Sequence, residues 1–368
     1  MRHLLPLALL SVGLAVGTAC MPLPHTWGEV EDFPVEQASV LTPAPSDPGE
    51  LRVLTYNLKF AGARVDFFFD GWGERVHMTE REVDAHMADL RQVIATTDAD
   101  VLLAQEVDRE STRSAYVDMV DDLLEGTHFN YAAWVPVWEV DYVPEQGLGR
   151  VKMGQAVFSR WPITVNTRYD LPQSTESSAL VNTFWLHRAV QVTELDLGNG
   201  QTVTVVNNHP TAYALDGTKQ VHLEKILEVS VNTFGPKIVG GDFNVIPPGS
   251  VQTEGFADNA PADVPGVTEV SYTDEEMAAL QPFYDRFDAA VPLQAYQAED
   301  TIEGQQAYTT HSVSGEVFWT QKLDYLFTDT SFSEAYTLQS AGDGAPALLL
   351  DPMDLSDHAP ILAVMELP

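Results

Sequence analysis

The chain has 368 residues, 45% of them apolar, enough for one large α/β domain or two smaller ones and too apolar for general disorder. Its 19 Lys and Arg face 54 Asp and Glu, a formal charge of −35 that repels polyanions and lowers the expectation of a nucleic-acid partner. Cys20 is the only cysteine, which excludes an internal disulfide and any cysteine-rich metal site.

At the N-terminus, Arg2 and His3 precede an apolar run over 4–16 and the small residues Gly17-Thr18-Ala19. This pattern reads as a secretory signal over 1–19, too short for a spanning helix. Cys20 stands where cleavage is expected. It is either a chance cysteine in an ordinary signal peptide or the acylated residue of a segment that resembles a bacterial lipoprotein signal. Gly17 departs from that pattern, which usually has an aliphatic residue there. The expected protein is exported and anchored to a membrane through Cys20, facing the periplasm or the cell exterior. Loss of 1–19 removes Arg2 alone, leaving 18 basic against 54 acidic side chains and a charge of −36. Residues 20–50 hold six prolines and no clear period, and read as an extended tether to a domain over 51–368.

A first strand is expected over 51–58, with Asn57 at its end. Residues 80–97 place Val83, Met87, Leu90, Val93 and Ile94 at helical spacing, and 99–103 follow as a buried strand leading to Gln105-Glu106. A short helix over 118–124 and a strand over 155–158 come next. The stretches 190–197 and 202–207 read as a hairpin about Gly198-Asn199-Gly200. Residues 217–234 read as a helix and 236–239 as the strand entering Gly240-Gly241-Asp242-Phe243-Asn244. An acidic, Pro-bearing loop is expected over 254–270. Thr273-Asp274-Glu275-Glu276 then fits a capping box before a helix over 277–287. The apolar run 345–350 reads as a buried strand shortly before Ser356-Asp357-His358. No repeat and no mature membrane span is found. Strands and helices mix without strict βαβ alternation, which favours a layered α/β sandwich over a barrel. The run Phe67-Phe68-Phe69 with Trp72 suits core packing, or contact with a membrane or substrate.

Asp242 and Asn244, two apart on an extended segment, are expected on one side of it. Polar residues at predicted strand ends form one set: Asn57, Glu106, His209, Asp242, Asn244, Asp324, Asp357 and His358. Carboxylates, carboxamides and imidazoles together suit a hard cation and a phosphate, and crowded carboxylates themselves need a cation. Taken singly, Asn57 also reads as a strand-end cap, Glu106-Val107-Asp108 as a solvated turn and His209-Pro210 as a structural turn. His187, His222 and His311 read as structural or surface residues.

Seven strings carry a resemblance: Leu54-Thr55-Tyr56-Asn57, Leu103-Ala104-Gln105-Glu106-Val107-Asp108, Phe158-Ser159-Arg160-Trp161-Pro162-Ile163, Asn207-Asn208-His209, Gly241-Asp242-Phe243-Asn244, Leu323-Asp324-Tyr325 and Ser356-Asp357-His358. In this order, over about residues 51–368, the chain resembles the endonuclease/exonuclease/phosphatase (DNase I-like) superfamily of metal-dependent phosphohydrolases. The resemblance implies a four-layered α/β sandwich, two packed mixed β-sheets flanked by helices, with the site at one edge. It implies that Glu106, with Asn57 and Asp357, holds Mg²⁺ or Mn²⁺. Asp242 would orient and deprotonate the attacking water, and Asn244 would fix the phosphate or Asp242. His358 would donate to a phosphate oxygen with Asp324 holding its ring, and His209 would contact the phosphate or protonate the leaving oxygen. Many family members carry an Arg where Arg188 precedes the strand at Val190.

The expected function is hydrolysis of a phosphodiester or phosphomonoester outside the cytoplasm. A phospholipid head group or small phosphoester is favoured as substrate, because basic residues are sparse and duplex DNA is normally held by about 6–10 Lys/Arg–phosphate contacts. A secreted nuclease and a non-catalytic surface lipoprotein are the alternatives. A monomer is expected.

Overall fold

The structure is a computed structural model that describes residues 24–368 apart from 47, 71, 72, 177–181, 183, 199, 213, 215 and 258–269. The signal segment, Cys20, Trp72 and most of the 254–270 loop therefore lie outside the described residues. In chain order the strands are β1 (Val30–Asp32), β2 (Val35–Gln37), β3 (Glu50–Asn57), β4 (Val101–Asp108), β5 (Tyr131–Val143), β6 (Gly149–Ser159), β7 (Ile163–Asp170), β8 (Ala189–Gly198), β9 (Gln201–Asn208), β10 (Lys237–Asp242), β11 (Asp288–Ala289), β12 (Asp324–Thr328), β13 (Ser331–Thr337) and β14 (Ile361–Glu366). The longer helices are α1 (Glu80–Thr97), α2 (Met119–Gly126) and α3 (Thr218–Asn232).

One seven-stranded sheet runs β1-β7-β8-β9-β10-β12-β11, and the other runs β13-β14-β3-β4-β6-β5-β2. Both are mixed. The parallel pairs β3/β4 and β9/β10 are joined through α1 and α3, as parallel neighbours need a crossover. Thr79 starts α1 with a reciprocal capping box to Glu82, and Asp98 ends it in the left-handed region.

Side chains alternate along a strand, so the central strands feed two apolar layers. Leu51, Val53, Val101, Leu103, Val203, Val205, Ile238 and Leu326 meet between the sheets. Leu54, Leu102 and Phe158 lie on the outer face of the second sheet, beneath Val83, Met87, Leu90 and Ile94 of α1. Val192, Val206, Val239 and Phe327 lie on the outer face of the first sheet, beneath Leu223, Ile226 and Val229 of α3. Helix, sheet, sheet, helix is the four-layered sandwich expected from the sequence.

A polar seam crosses the layer between the sheets. Gln105, Gln155, Gln191 and Asn207 are fully buried. Gln105 Nε2 donates to Asn207 Oδ1 at 2.8 Å, and Asn207 Nδ2 donates to the Ala104 and Ala156 carbonyls, each at 3.1 Å. Gln155 Nε2 donates to the Asn207 carbonyl at 2.8 Å, and Gln191 Nε2 to the Ala133 carbonyl at 2.9 Å. Apolar contact tolerates sliding, whereas these bonds fix how β4, β5 and β6 sit over β8 and β9.

Several expectations are corrected. Part of the 20–50 tether is folded: β1 pairs with β7 and β2 with β5, so consecutive short strands edge both sheets. Phe33 and Pro34 connect them, and their alternating apolar and acidic residues suit an edge. Residues 345–350 form turns rather than a strand, because Pro346 lacks an N–H and Gly342 and Gly344 adopt positive φ; Leu349 is 69% exposed. The helix expected over 277–287 is two pieces, Asp274–Ala278 and Gln281–Arg286, the second with Pro282 in its first turn; the Thr273 capping box is present. Phe67 is buried and meets Phe60 edge to face at 5.1 Å, while Phe69 is 41% exposed.

Gly241 sets the approach of β9 to β10 and so the position of Asp242 beside the end of β9. Its φ is +134°, and a Cβ there would lie 2.1 Å from the Asn208 carbonyl oxygen. Overpacking and forced backbone each cost about 1–3 kcal/mol. Gly241→Ala is therefore expected to lose about 3 kcal/mol of stability, read as a fall in the guanidinium unfolding midpoint. An unchanged midpoint would contradict this tight approach.

Candidate active site

Strand ends from both sheets deliver the site. Asn57 closes β3, Asp242 closes β10, Asp324 opens β12 and His209 follows β9. Asp242 and Asp324 are direct partners across the antiparallel β10/β12 ladder. Glu106 lies in β4 where the register against β6 shifts between Ala104 and Val107, and its φ is +55°. Such a bulge re-aims a side chain, here away from the regular pleat. Asp357 and His358 precede β14. Ser356 Oγ donates to the Asn57 carbonyl at 2.8 Å and accepts from His358 N at 3.2 Å, tying this segment to the end of β3.

All eight residues singled out in the sequence come together. Asn57 Nδ2 lies 3.2 Å from Asp242 Oδ2 and 3.4 Å from Glu106 Oε1. His209 Nε2 lies 3.3 Å from Asp242 Oδ2 and 4.0 Å from Glu106 Oε1. His358 Nε2 stands 3.6 Å from Asp242 Oδ2, and its Nδ1 donates to Asp324 Oδ2 at 2.8 Å. Asn244 departs from the expected geometry. The extended segment ends at Asp242, and Asn244 has φ +52°, so the two do not share a strand face. Asn244 instead donates its backbone N–H to Asp242 Oδ1 at 2.9 Å and its side-chain amide to the Pro210 carbonyl at 3.0 Å. Asn57 also differs from a simple cation ligand: its Oδ1 accepts from Lys59 N at 3.1 Å, and its amide donors face the two carboxylates.

Burial and charge set the proton affinities. Burial pushes Asp242 up to about 7, with Asp324 and Glu106 adding to the rise against the pull of His358. Burial opposes charge on His358, but Asp324, Asp242 and Asp357 outweigh it and raise the imidazole to about 10. Burial, with Arg188 and His358, holds His209 well below its ordinary value, so its ring is neutral. Burial and then Asp357 raise Glu106. Burial also acts against the Asp357 carboxylate, but Lys59, His358, His311 and Arg64 together hold it below the usual range.

Among the described residues, two groups of donors come into question for an ion. Ligand atoms of Asp242, Asp324 and His358 lie within 4.8 Å of one another. In that set His358 Nδ1 already bonds Asp324 Oδ2 at 2.8 Å, and the neighbouring carboxylates raise the affinity of the ring for a proton, with which an ion would compete. Glu106 and Asp357 are oxygen donors, and burial and then the Asp357 charge raise Glu106, a cost that a hard divalent cation relieves. The carboxylates present therefore fit a hard cation, and the Asn57 amide donors face Glu106 and Asp242.

Sequence reasoning missed two neighbours. Lys59 is buried, its Nζ 3.4 Å from Asp357 Oδ2. The signal for it was its place two residues after Asn57 in a chain with only six lysines. His311, read from the sequence as structural or surface, borders the site. Its ring meets that of His358 edge to face at 4.7 Å, and the two backbones form a bridge. No string near His311 signals this, because the contact joins distant segments. His222 is structural as expected, its Nε2 2.6 Å from the Pro172 carbonyl.

No curated protein sequence matches the chain. Among solved structures, the endonuclease/exonuclease/phosphatase from Beutenbergia cavernae DSM 12333 is similar over 87% of this chain and 72% of its own, at 16% identity and a TM-score of 0.52. An endonuclease/exonuclease/phosphatase family protein from Leptotrichia buccalis C-1013-b is similar over 85% of this chain and 98% of its own, at 16% identity and a TM-score of 0.51. Humanized D. rerio TDP2 is similar over 86% and 99%, at 11% identity and a TM-score of 0.51. At these identities the likeness is one of fold. The sequence profile described as the Endonuclease/Exonuclease/phosphatase family matches residues 54–358, from the first core strand through His358, and the chain belongs to that family.

Proposed function

We propose that the protein is a divalent-cation-dependent phosphoesterase acting outside the cytoplasm on a phospholipid head group or another small phosphoester. The observation that supports this best is Asp242, raised to about 7 and set between His209, His358 and Asn57. A carboxylate with a pKa near the working pH is suited to general-base chemistry.

In this reading Asp242 accepts a proton from the attacking water, its orientation fixed by the Asn244 N–H and the Asn57 amide. Protonated His358 faces the phosphate and offsets the charge that grows on its oxygens, with Asp324 holding the ring. His209 contacts the phosphate as a neutral donor, since its low proton affinity disfavours the acid role. Mg²⁺ or Mn²⁺, held by Glu106 and Asp357, would supply positive charge that draws the phosphate in and eases attack by an anion. Export and acylation of Cys20 complete the proposal, and the mass of the mature N-terminal peptide tests them.

Substrate preference follows from charge. A formal charge of −36 on the mature chain disfavours a polyanion, whereas a small phosphate group needs only the charges inside the site. Initial rates on plasmid DNA, phospholipid vesicles and a small soluble phosphoester, at equal enzyme and moderate salt, are expected to rank the plasmid last. Plasmid nicking as the fastest reaction would make a secreted nuclease the better reading.

Chelator is expected to abolish activity and Mg²⁺ or Mn²⁺ to restore it; full activity without metal would remove the proposed mechanism. Asp242→Asn and His358→Ala should each lower kcat by at least about a hundredfold while remaining folded. Near-normal rates in both would show that the roles are misassigned.

The pH profile carries a further expectation. Asp242 must be ionised and His358 protonated, so kcat/KM should fall on the acid side of about 7 and on the basic side of about 10. A bound cation would draw the acid limb lower. Asp324→Asn removes a charge that keeps His358 protonated and should move the basic limb to lower pH. A basic limb unmoved by that change would show that Asp324 does not set the state of His358.

A further inference from the structure

Immediately after β3 the backbone leaves regular structure. Lys59, Phe60 and Ala61 all adopt positive φ, at 43°, 43° and 58°. Left-handed backbone costs an ordinary residue roughly 1–2 kcal/mol, so three in succession need strong fixation. The fixation is present. Lys59 N donates to Asn57 Oδ1 at 3.1 Å, and Gly62 N to the Lys59 carbonyl at 2.6 Å. The Phe60 ring lies 3.7 Å beneath the Arg113 guanidinium, which is itself clamped by two 2.9 Å bonds to buried Asp108. The consequence of this turn is to bring the Lys59 ammonium to 3.4 Å from Asp357 Oδ2, with only 2% of the residue exposed. An ammonium buried at that place stands beside the very carboxylate that a divalent cation would use.

We propose that Lys59 is a resident cation of the site that competes with the divalent ion for Asp357 and thereby sets how weakly that ion is held. The proposal rests on the reading that Glu106 and Asp357 hold a cation. When the ion is absent, Lys59 neutralises Asp357 and keeps it in place. Lys59 would place its charge beside the Asp357 carboxylate that a divalent ion also needs, in surroundings where water screens little. Glu106 would then carry more of the binding, and the ion would stay exchangeable.

The test is Mn²⁺ binding to the folded protein without substrate, read from the loss of the free-ion electron paramagnetic resonance signal. Lys59→Met keeps the apolar stem and removes the charge, and it should bind Mn²⁺ at least tenfold more tightly, about 1.4 kcal/mol. Lys59→Gln serves as a second neutral variant should the first not fold. Lys59→Arg keeps the charge and should show no such gain. A neutral variant that binds Mn²⁺ as weakly as the unaltered protein, or more weakly, overturns the role of Lys59 while leaving cation-dependent hydrolysis standing. Absence of Mn²⁺ binding in the unaltered protein and in the neutral variants alike overturns both.

Discussion

Four carboxylates, those of Glu106, Asp242, Asp324 and Asp357, converge where the ends of two stacked sheets meet, and most of what surrounds them answers their repulsion. Unit charges about 4 Å apart interact by roughly 4 kcal/mol at the effective dielectric typical of protein sites. Such a group is tolerated only when each charge is answered or suppressed. The chain uses both means. Asp242 is raised to about 7, His358 is held protonated between Asp242 and Asp324, and Lys59 answers Asp357. Arg113 and Arg188 draw Glu106 down against its burial. A carboxylate cluster of this kind is suited to a hard cation.

Holding that charge in register demands a rigid frame, and the frame is polar where a purely apolar one would slide. Gln105 and Asn207 form the central bond of the buried seam, and each directly precedes or nearly precedes a site residue, Glu106 and His209. The same contact that aligns the two sheets therefore also aligns the two halves of the site. Behind it, the tight passage of Gly241 past Asn208 brings Asp242 within reach of His209. Burying amides is tolerable here because their donors find acceptors on strands of both sheets.

Much of this was legible in the sequence, for physical reasons. The α1 stripe and the β8/β9 hairpin are encoded in local periodicity and turn chemistry, which act over a few residues. The site strings were legible because each is a short polar interruption at the end of an apolar run. Features that depend on distant segments were not. Nothing local to His311 announces its contact with His358. The bulge that turns Glu106 is set by its pairing with β6, and the left-handed turn at Lys59 by Arg113 more than fifty residues away. Residues 345–350 misled because an apolar run resembles a strand until Pro346 and two flanking glycines deny it a ladder. Residues 30–37 misled in the opposite sense, since three-residue strands amid prolines leave almost no periodic signal.

That N-terminal strap, with one short strand on each sheet, also bears on how the molecule behaves among its own kind. A bare outer strand offers unpaired backbone groups to any passing chain and invites sheet-to-sheet growth. Here the outermost positions beside β7 and β5 are taken by Val30–Asp32 and Val35–Gln37, each three residues long and each bearing acidic side chains. Glu36 is locked inward by Arg109, which also grips Asp118, and Trp27 lies under the Arg168 guanidinium at 4.8 Å. An incoming strand thus finds a ladder too short to reward docking and like charge along it. The strap that ties the two sheets together also guards one flank of each against fibrous association.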